Sequence, residues 1–289
     1  MARRRIPTAT AHRPTRPLPQ ARPWPVDRPA DPPAARWQAP VVETPESRTT
    51  WLAIWLIRAL LGAGIVFALL TTRQAWPTAA GLVALGLSFG PRGVERATRT
   101  DLPGWLKLAW VVAVALPAAS TAFGVYDRVT HWGKVVHGAD AFLVALLVGV
   151  LLLGYREARR VDLSDQLGAL VTVFVGVAFG VLWELVEYVF DWVADTSLQK
   201  SNADTMTDFL WHDFGTVLGA LLAVRLFCHW LGATDRRAVG VAGSWLVEGP
   251  SRLLERHGWL MTALVSALIA LTIAALWFAG RPIPGLGSS

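Results

Sequence analysis

The residues best suited to chemistry in this sequence are acids and histidines that recur at helical spacing within three apolar segments. They form three pairs whose members are three or four positions apart: His137 with Asp140, Glu184 with Glu187, and Asp208 with His212. Side chains at these spacings lie on the same face of an α-helix. Carboxylates combined with imidazoles suit Zn²⁺, Mn²⁺ or Fe²⁺, whereas carboxylates alone suit Mg²⁺ or Ca²⁺. The pattern therefore indicates a polar cluster that could hold a divalent metal ion or a polar headgroup.

The expected cluster is wider than these three pairs. Its members are His131, His137, Asp140, Glu184, Glu187, Asp208, His212 and Asp213. The candidate metal ligands among them are His137, Asp140, Glu184 and Asp208. The chain has no His-Glu-x-x-His zinc motif and a single cysteine, Cys228, which excludes a disulfide framework within the chain and a multi-cysteine metal site. No catalytic residue is marked, and whether the protein is an enzyme stays open.

Apolar segments long enough to cross a bilayer carry these side chains. The chain of 289 residues is 53% hydrophobic and 17% charged, with a mean hydropathy of +0.41, whereas soluble domains carry roughly 25% charged residues. A helix of about 20 apolar residues crosses the hydrocarbon core. The sequence predicts an all-α, polytopic transmembrane helical bundle of about seven spans. These are residues 51–71, 76–90, 105–123, 134–154, 166–187, 208–228 and 259–279.

The orientation follows from the basic residues in the loops. With seven crossings, ten arginines of the later loops lie on the same side as the amino terminus and five basic residues lie on the other side. Positive charge marks the cytoplasmic side. We expect a cytoplasmic amino terminus in a bacterial plasma (inner) membrane and a cluster at the extracytoplasmic ends of spans four to six. The segment 76–90 is short and could instead be re-entrant.

Composition divides the chain into four parts. Residues 1–50 are predicted to be a disordered Pro/Arg-rich cytoplasmic tail, with nine arginines, four acids and eleven prolines. Residues 51–230 are a six-span core, 231–257 a cytoplasmic amphipathic linker, and 258–280 a final transmembrane helix. Because the basic charge lies in a tail beside a bilayer, we expect contact with anionic lipid headgroups there and no nucleic acid partner.

Glycines extend two of the polar stripes. Gly176 and Gly180 precede Glu184 at steps of four, and Gly215 and Gly219 follow His212 on the same face. Small residues let helices approach closely in lipid. We therefore expect spans five and six to pack glycine face against glycine face. Acids near helix ends, such as Asp191 and Asp204, are expected to cap those ends or face solvent.

A set of motifs resembles the YjdF-type inner-membrane proteins, a group without an assigned activity. The motifs are Tyr126-Asp127-Arg128 followed by His131, Glu184-Leu-Val-Glu187, and Asp204-Thr205 leading to Asp208, Gly215 and Ala220. The chain is similar, more distantly, to VanZ-like membrane proteins, which share an Asp-basic-x-x-His element and a later Asp-to-Gly helix. The resemblance covers residues 100–220, or 50–230 with the first spans. It departs at His212, where the family more often has Asn, and implies a membrane protein but no substrate.

Three functions fit these observations. The cluster could bind a metal ion or polar headgroup, as in lipid-linked or envelope chemistry on a metal-activated water. It could instead serve a proton-coupled small-solute transporter in which Asp140, Glu184 and Asp213 titrate. A non-catalytic scaffold that uses the cluster to lock helices is the third. Carriers often contain internal repeats, and the absence of a clear repeat in this sequence disfavours the second function.

Overall fold

The computed structural model describes residues 47–71, 75–194 and 198–278, and their regular structure is helical. The predicted all-α class is confirmed. The predicted tail lies outside the described residues up to position 46, and α1 begins within the segment assigned to it. The helices are α1 Arg48–Thr71, α2 Ala75–Leu87, α3 Gly90–Thr98, α4 Gly104–Ala122, α5 Val125–Arg128, α6 Trp132–Arg159, α7 Asp165–Ala194, α8 Asn202–Arg225 and α9 Ala233–Phe278, with a π-helical turn at Leu226–Trp230.

Five of these helical stretches are long and apolar enough to cross a membrane. They are Arg48–Thr71, Gly104–Ala122, Trp132–Arg159, Asp165–Asp191 and Asn202–Trp230. They correspond to the predicted spans one, three, four, five and six. At 1.5 Å per residue, even the shortest approaches the roughly 30 Å of the hydrocarbon core. The bundle therefore has five candidate membrane spans among the residues the structure describes.

The predicted second span is not one continuous helix. Helix α2 has 13 residues, or about 20 Å at 1.5 Å per residue. The helix is then interrupted before α3 begins at Gly90. The cause is Pro91, which lacks the N–H that would bond the carbonyl of Leu87. The indole of Trp110 donates to that carbonyl instead, at 2.9 Å. Whether 76–90 crosses the bilayer stays a prediction.

The predicted linker and final span fall within a single helix. Helix α9 runs from Ala233 to Phe278 and contains Pro250. Its first part packs into the bundle, because Val239 and Ala242 are fully buried. A Cβ at Gly154 of α6 would lie 2.7 Å from Val239, so the two helices are in close contact. A crossing by 259–279 stays a prediction.

Helix α8 is packed between α6 and α7. Gly215 and Gly219 of α8 lie against the carbonyl oxygens of Gly138 and Phe142 of α6. On the other side, Gly176 of α7 lies against a threonine of α8. The predicted glycine-to-glycine packing of spans five and six is therefore wrong. The helical phase identified close-packing faces correctly but could not tell which neighbour each face would meet.

The two ends of the bundle differ in charge. The polar end is the end at which α6 and α8 begin and α7 finishes, and it contains His137, Glu184 and Asp208. The arginine end is the opposite one, with Arg156 and Arg159 at the end of α6. Helix α4 finishes at the polar end, where the indole of Trp132 donates to the Ser120 hydroxyl at 2.9 Å. Helix α1 therefore begins at the arginine end, since Thr50 lies against Gly104 at the start of α4.

Candidate functional site

Helix starts bring two of the three polar stripes to the polar end. Helix α6 begins directly after His131, which has a left-handed backbone conformation with φ 63°. Helix α8 begins after Ser201, whose hydroxyl accepts a hydrogen bond from the backbone N–H of Asp204 at 3.1 Å. Ser201 is thus the N-cap. Asp208 consequently lies in the second turn of α8 and does not cap it.

Three potential metal ligands converge between α6, α7 and α8. One ligand atom each from His137, Glu184 and Asp208 lies within 4.8 Å of the other two. Glu184 and Asp208 are each only 6% exposed. His137 Nε2 lies 3.9 Å from Asp208 Oδ1 and 4.0 Å from the Oε1 of Glu187. An imidazole and two carboxylates from three helices therefore converge, with the carboxylate of Glu187 beside the imidazole.

Lys134 is the cation of this cluster. Its Nζ donates to Asp208 Oδ1 at 2.9 Å and to Asp204 Oδ1 at 2.5 Å. It also donates to the Asp204 carbonyl oxygen at 3.2 Å. Lys134 is one of the five basic residues assigned from the sequence to the outer side, and Asp204 was expected to cap a helix end or face solvent. The available signal was spacing, because Lys134 precedes His137 by three positions and shares its face.

Neutral donors hold the two glutamates of α7. The side-chain amide of Gln199 donates to Glu184 Oε2 at 3.1 Å and to its carbonyl oxygen at 3.2 Å. The indole of Trp183 donates to Glu187 Oε1 at 2.7 Å. Asp191 accepts the backbone N–H of Gln199 at 2.7 Å, so it holds the connection after α7 and does not cap a helix as expected. Gln199 and Trp183 were not predicted as members of the cluster.

A tyrosine and an aspartate lie beside this group. Asp140 follows His137 by three positions on α6, and its Oδ1 is buried without a hydrogen-bond partner among the described residues. Tyr126 belongs to α5, outside the spanning helices. Burial, and then the negative charges of Asp140, Glu187 and Asp208, raises the pKa of the Tyr126 hydroxyl. Tyr126 therefore stays protonated and can donate a hydrogen bond near the carboxylates.

Comparison with known proteins adds a family to this geometry. Residues 52–229 match the model of a family described as predicted membrane protein (DUF2238). The chain belongs to this family. An uncharacterized protein of Thermotoga maritima is 28% identical over 170 residues, which cover 58% of this chain and 86% of the relative. No solved structure matches. The predicted multi-pass membrane class is confirmed.

The DUF2238 region runs from α1 to the π-helical turn, so it contains the whole candidate site and leaves out α9. The limits agree with the wider resemblance, residues 50–230, expected from the motifs. The DUF2238 match and the Thermotoga relative carry no reaction or ligand in their descriptions. The site's chemistry must therefore be argued from its own side chains.

The remaining candidates of this DUF2238 protein lie around the three-ligand group. His212 is buried one turn beyond Asp208, with Nδ1 3.5 Å from the hydroxyl of Thr216. A Cβ at Gly180 would lie 2.6 Å from that ring nitrogen, so the glycine provides the space for His212. His131 is exposed and Asp213 is partly buried. The group formed by the described residues contains none of these, nor Asp140.

Proposed function

We propose that this DUF2238 membrane protein binds a divalent cation at its polar end. The ligands are His137, Glu184 and Asp208, and the carrying observation is that their three ligand atoms lie within 4.8 Å of one another. One imidazole with two carboxylates favours Zn²⁺, Mn²⁺ or Fe²⁺ over Mg²⁺ or Ca²⁺. Each ligand comes from a different helix, so binding would fasten α6, α7 and α8 to one another.

The charges around the site favour a cation. On one side of the group Lys134 bonds Asp208 and Asp204. The carboxylates of Glu184 and Glu187 lie on the other side. Like charges within about 6 Å destabilise one another's ionised forms. A divalent cation would offset this repulsion more fully than a single ammonium group. It would compete with Lys134 for Asp208 Oδ1, so the lysine sets the affinity for metal.

The proposal extends to the side of the membrane and the kind of reaction. With the predicted seven crossings and a cytoplasmic amino terminus, the polar end would lie on the extracytoplasmic side. The motifs shared with YjdF-type and VanZ-like proteins are concentrated at this end. A bound metal ion can lower the pKa of a coordinated water and supply a nucleophile. We infer that the site acts on a polar group at the outer membrane surface, such as a lipid-linked headgroup.

One observation favours a second candidate function. The buried Oδ1 of Asp140 has no hydrogen-bond partner among the described residues, and an ionisable group inside a membrane helix often belongs to a proton path. In a proton-coupled transporter, Asp140 would exchange a proton with the cluster. Proton uptake into liposomes measures this directly, and loss of uptake in Asp140→Asn with normal metal binding would favour transport.

Equilibrium dialysis of the full-length protein in detergent tests the metal proposal. The protein is first treated with a chelator, then dialysed against Zn²⁺ or Mn²⁺, and bound metal is counted by mass spectrometry. We expect about one ion per chain for the wild type and less than a tenth of that for His137→Gln and Asp208→Asn. His131→Gln is the matched control, because this histidine is exposed at the same end.

Two results would refute the proposal. The first is a wild-type protein that retains no metal although it elutes as a folded species in gel filtration. The second is equal metal retention in wild type, His137→Gln and Asp208→Asn. In the first case the cluster is a packing network, in which Lys134 and Gln199 satisfy the carboxylates and lock the helices.

A further inference from the structure

A second polar site lies at the arginine end, where α1, α3 and α4 enclose a small open cleft. Its volume is about 50 Å³. A single water needs roughly 10–15 Å³ of such space, so the cleft can take a group of several heavy atoms. Its charged lining consists of Arg58, Arg92, Glu95 and Lys107. Three cationic side chains and one carboxylate therefore face the same small space, far from the metal ligands of the polar end.

The break between α2 and α3 orients Arg58. Its Nη2 donates to the carbonyl oxygen of Ser88 at 2.7 Å and its Nε donates to the Ser88 hydroxyl at 3.1 Å. Ser88 lies at the break, between the last residue of α2 and the first of α3. Arg58 is only 6% exposed. Its guanidinium is thus fixed in the cleft wall, and it does not reach along the helix to the membrane surface.

Two guanidinium groups share one pair of aromatic rings. The Cζ of Arg58 lies 5.1 Å from the ring centroid of Trp55 and 4.0 Å from that of Phe89. The Cζ of Arg92 lies 5.4 Å and 5.8 Å from the same two centroids. Cation–π contacts stabilise each group, but two like charges are held near one another. An oxyanion bound by both would reduce this repulsion and accept charge-assisted hydrogen bonds.

Glu95 and Lys107 form the remaining polar wall. Glu95 Oε1 accepts the backbone N–H of Leu102 at 3.0 Å and lies 3.1 Å from Lys107 Nζ. This arrangement ties the end of α3 to the first turns of α4 and keeps the lysine at the cleft. Glu95 is therefore already engaged by donors of its own neighbourhood, while Arg92 faces the cleft from the preceding turn of α3.

Tryptophans place the cleft at the level of lipid headgroups. Trp51 and Trp55 line it and are 47% and 38% exposed. Exposed tryptophans near the ends of membrane helices lie at the interface between headgroups and hydrocarbon. Basic pockets between transmembrane helices commonly bind phosphate-bearing lipid headgroups. The two tryptophans therefore predict that the cleft opens at the depth of the lipid phosphates.

We propose that the cleft between α1, α3 and α4 binds the phosphate of an anionic phospholipid through Arg58 and Arg92. Trp51 and Trp55 contact the adjoining part of the lipid. This site is separate from the metal site and requires neither metal nor activity there. Bound lipid would bridge α1 and α3 and so stabilise the break at Ser88 and Phe89.

Native mass spectrometry of the full-length protein in detergent tests this site. The probes are dioleoylphosphatidylglycerol, dioleoylphosphatidylcholine and inorganic phosphate. We expect wild type to bind the anionic lipid at least tenfold more tightly than the zwitterionic one. Arg92→Gln should lose about tenfold of that affinity. It leaves the two bonds from Arg58 to Ser88 intact, so the variant should fold. Arg96→Gln, one turn further along α3 and exposed, is the control and should bind as wild type does.

The two phosphate sources are distinguished by the third probe. Competition by millimolar inorganic phosphate would support recognition of the phosphate group itself. Inorganic phosphate that binds as tightly as the lipid would overturn the lipid assignment. Equal lipid affinity in Arg92→Gln and Arg96→Gln would overturn the site. Arg58→Gln serves as a further check, because its loss of affinity should accompany that of Arg92→Gln if both groups bind the same phosphate.

Discussion

The two ends of the bundle use the same residue types but balance their charges differently. At the arginine end, Arg156 Nη1 bonds Asp165 Oδ1 at 2.5 Å, and the guanidinium of Arg159 bonds both oxygens of Glu248. At the polar end, Lys134 is the cation for several carboxylates. The ion pairs of Arg156 and Arg159 beside α6 are thus matched one to one, whereas at the polar end two carboxylates share Lys134 and the two glutamates of α7 are held by neutral donors.

Burial separates the two ends further. The side chain of Asp165 is 44% exposed, whereas that of Asp208 is 8% exposed. An ion pair in contact with water contributes little to stability, while a buried carboxylate must be satisfied by hydrogen bonds or a cation. This difference shows that ionisable residues at helical spacing do not by themselves identify a binding site. What distinguishes the polar end is buried carboxylates from different helices with an imidazole among them.

The largest effect should come from breaking the helix contact beneath the polar end. Gly215 lies directly against the carbonyl oxygen of Gly138, so Gly215→Ala forces α6 and α8 apart. We expect a loss of about 3 kcal/mol of stability, the upper part of the overpacking range, and loss of metal binding. Gly62→Ala is the control, since no atom lies within 4 Å of its added Cβ. Thermal unfolding, followed by gel filtration, compares the two variants. Equal melting temperatures would contradict the close contact between α6 and α8 at Gly215.

Replacing Lys134 at the polar end should have an intermediate effect, which lowers stability but raises the affinity for metal. Lys134→Met removes the cation that bonds Asp204 and Asp208. In the presence of a chelator we expect a loss of about 2 kcal/mol, below the cost of breaking a fully buried pair because Lys134 is partly exposed. The affinity for Zn²⁺ should rise several-fold, because the competing charge is gone. A variant that loses both stability and metal affinity would contradict the proposed competition between Lys134 and the metal ion for Asp208.

The cap of α8 should have a smaller effect. Ser201→Ala removes the hydroxyl that accepts the backbone N–H of Asp204. Loss of such a cap costs about 1 kcal/mol. The first turn of α8 carries Asp204, so the variant should also loosen the bond between Asp204 and Lys134. The lysine would then compete more strongly for Asp208 and weaken metal binding about twofold. Ser201→Asp restores an acceptor and should recover both properties, and failure to do so would remove the cap from the account.

The smallest effect should be at the arginine end. Arg156→Gln removes a pair whose aspartate is nearly half exposed. Exposed ion pairs are worth about 0–1 kcal/mol, so the melting temperature should move by little and metal retention should not change. A loss of metal in this variant equal to that of Asp208→Asn would show that the two ends are coupled, and the contrast between them would disappear.

Much of the fold was predictable from segment length and hydropathy. Five predicted spans correspond to helices, with starts and ends shifted by up to six residues. The second span differed because Pro91 ends the helix at Ser88 and Phe89. A hydropathy window does not register this effect. The pairing of glycine faces was wrong because α8 has two neighbours and the phase of one helix does not choose between them.

The candidate site was predictable in part. Helical phase put His137, Glu184 and Asp208 on inward faces, and the structure brings them together. Lys134 was missed because the span boundary was drawn at that residue, although α6 begins at Trp132. Gln199 was missed because a neutral amide in a connection gives no pattern. Its role depends on the way the connection between α7 and α8 returns to Glu184.

The central claim is that α6, α7 and α8 bring positions 137, 184 and 208 to one point. Disulfide and Cd²⁺ crosslinking of His137→Cys with Glu184→Cys, and of Glu184→Cys with Asp208→Cys, tests it in a Cys228→Ala background. Paired replacement of Gly64 and Ala122 by cysteine is the positive control, because a Cβ at Gly64 would lie 3.2 Å from the Cβ of Ala122, near the spacing of a disulfide. We predict linked peptides by mass spectrometry for both polar-end pairs. A linked control with neither polar-end pair linked would contradict the convergence and, with it, the proposed site.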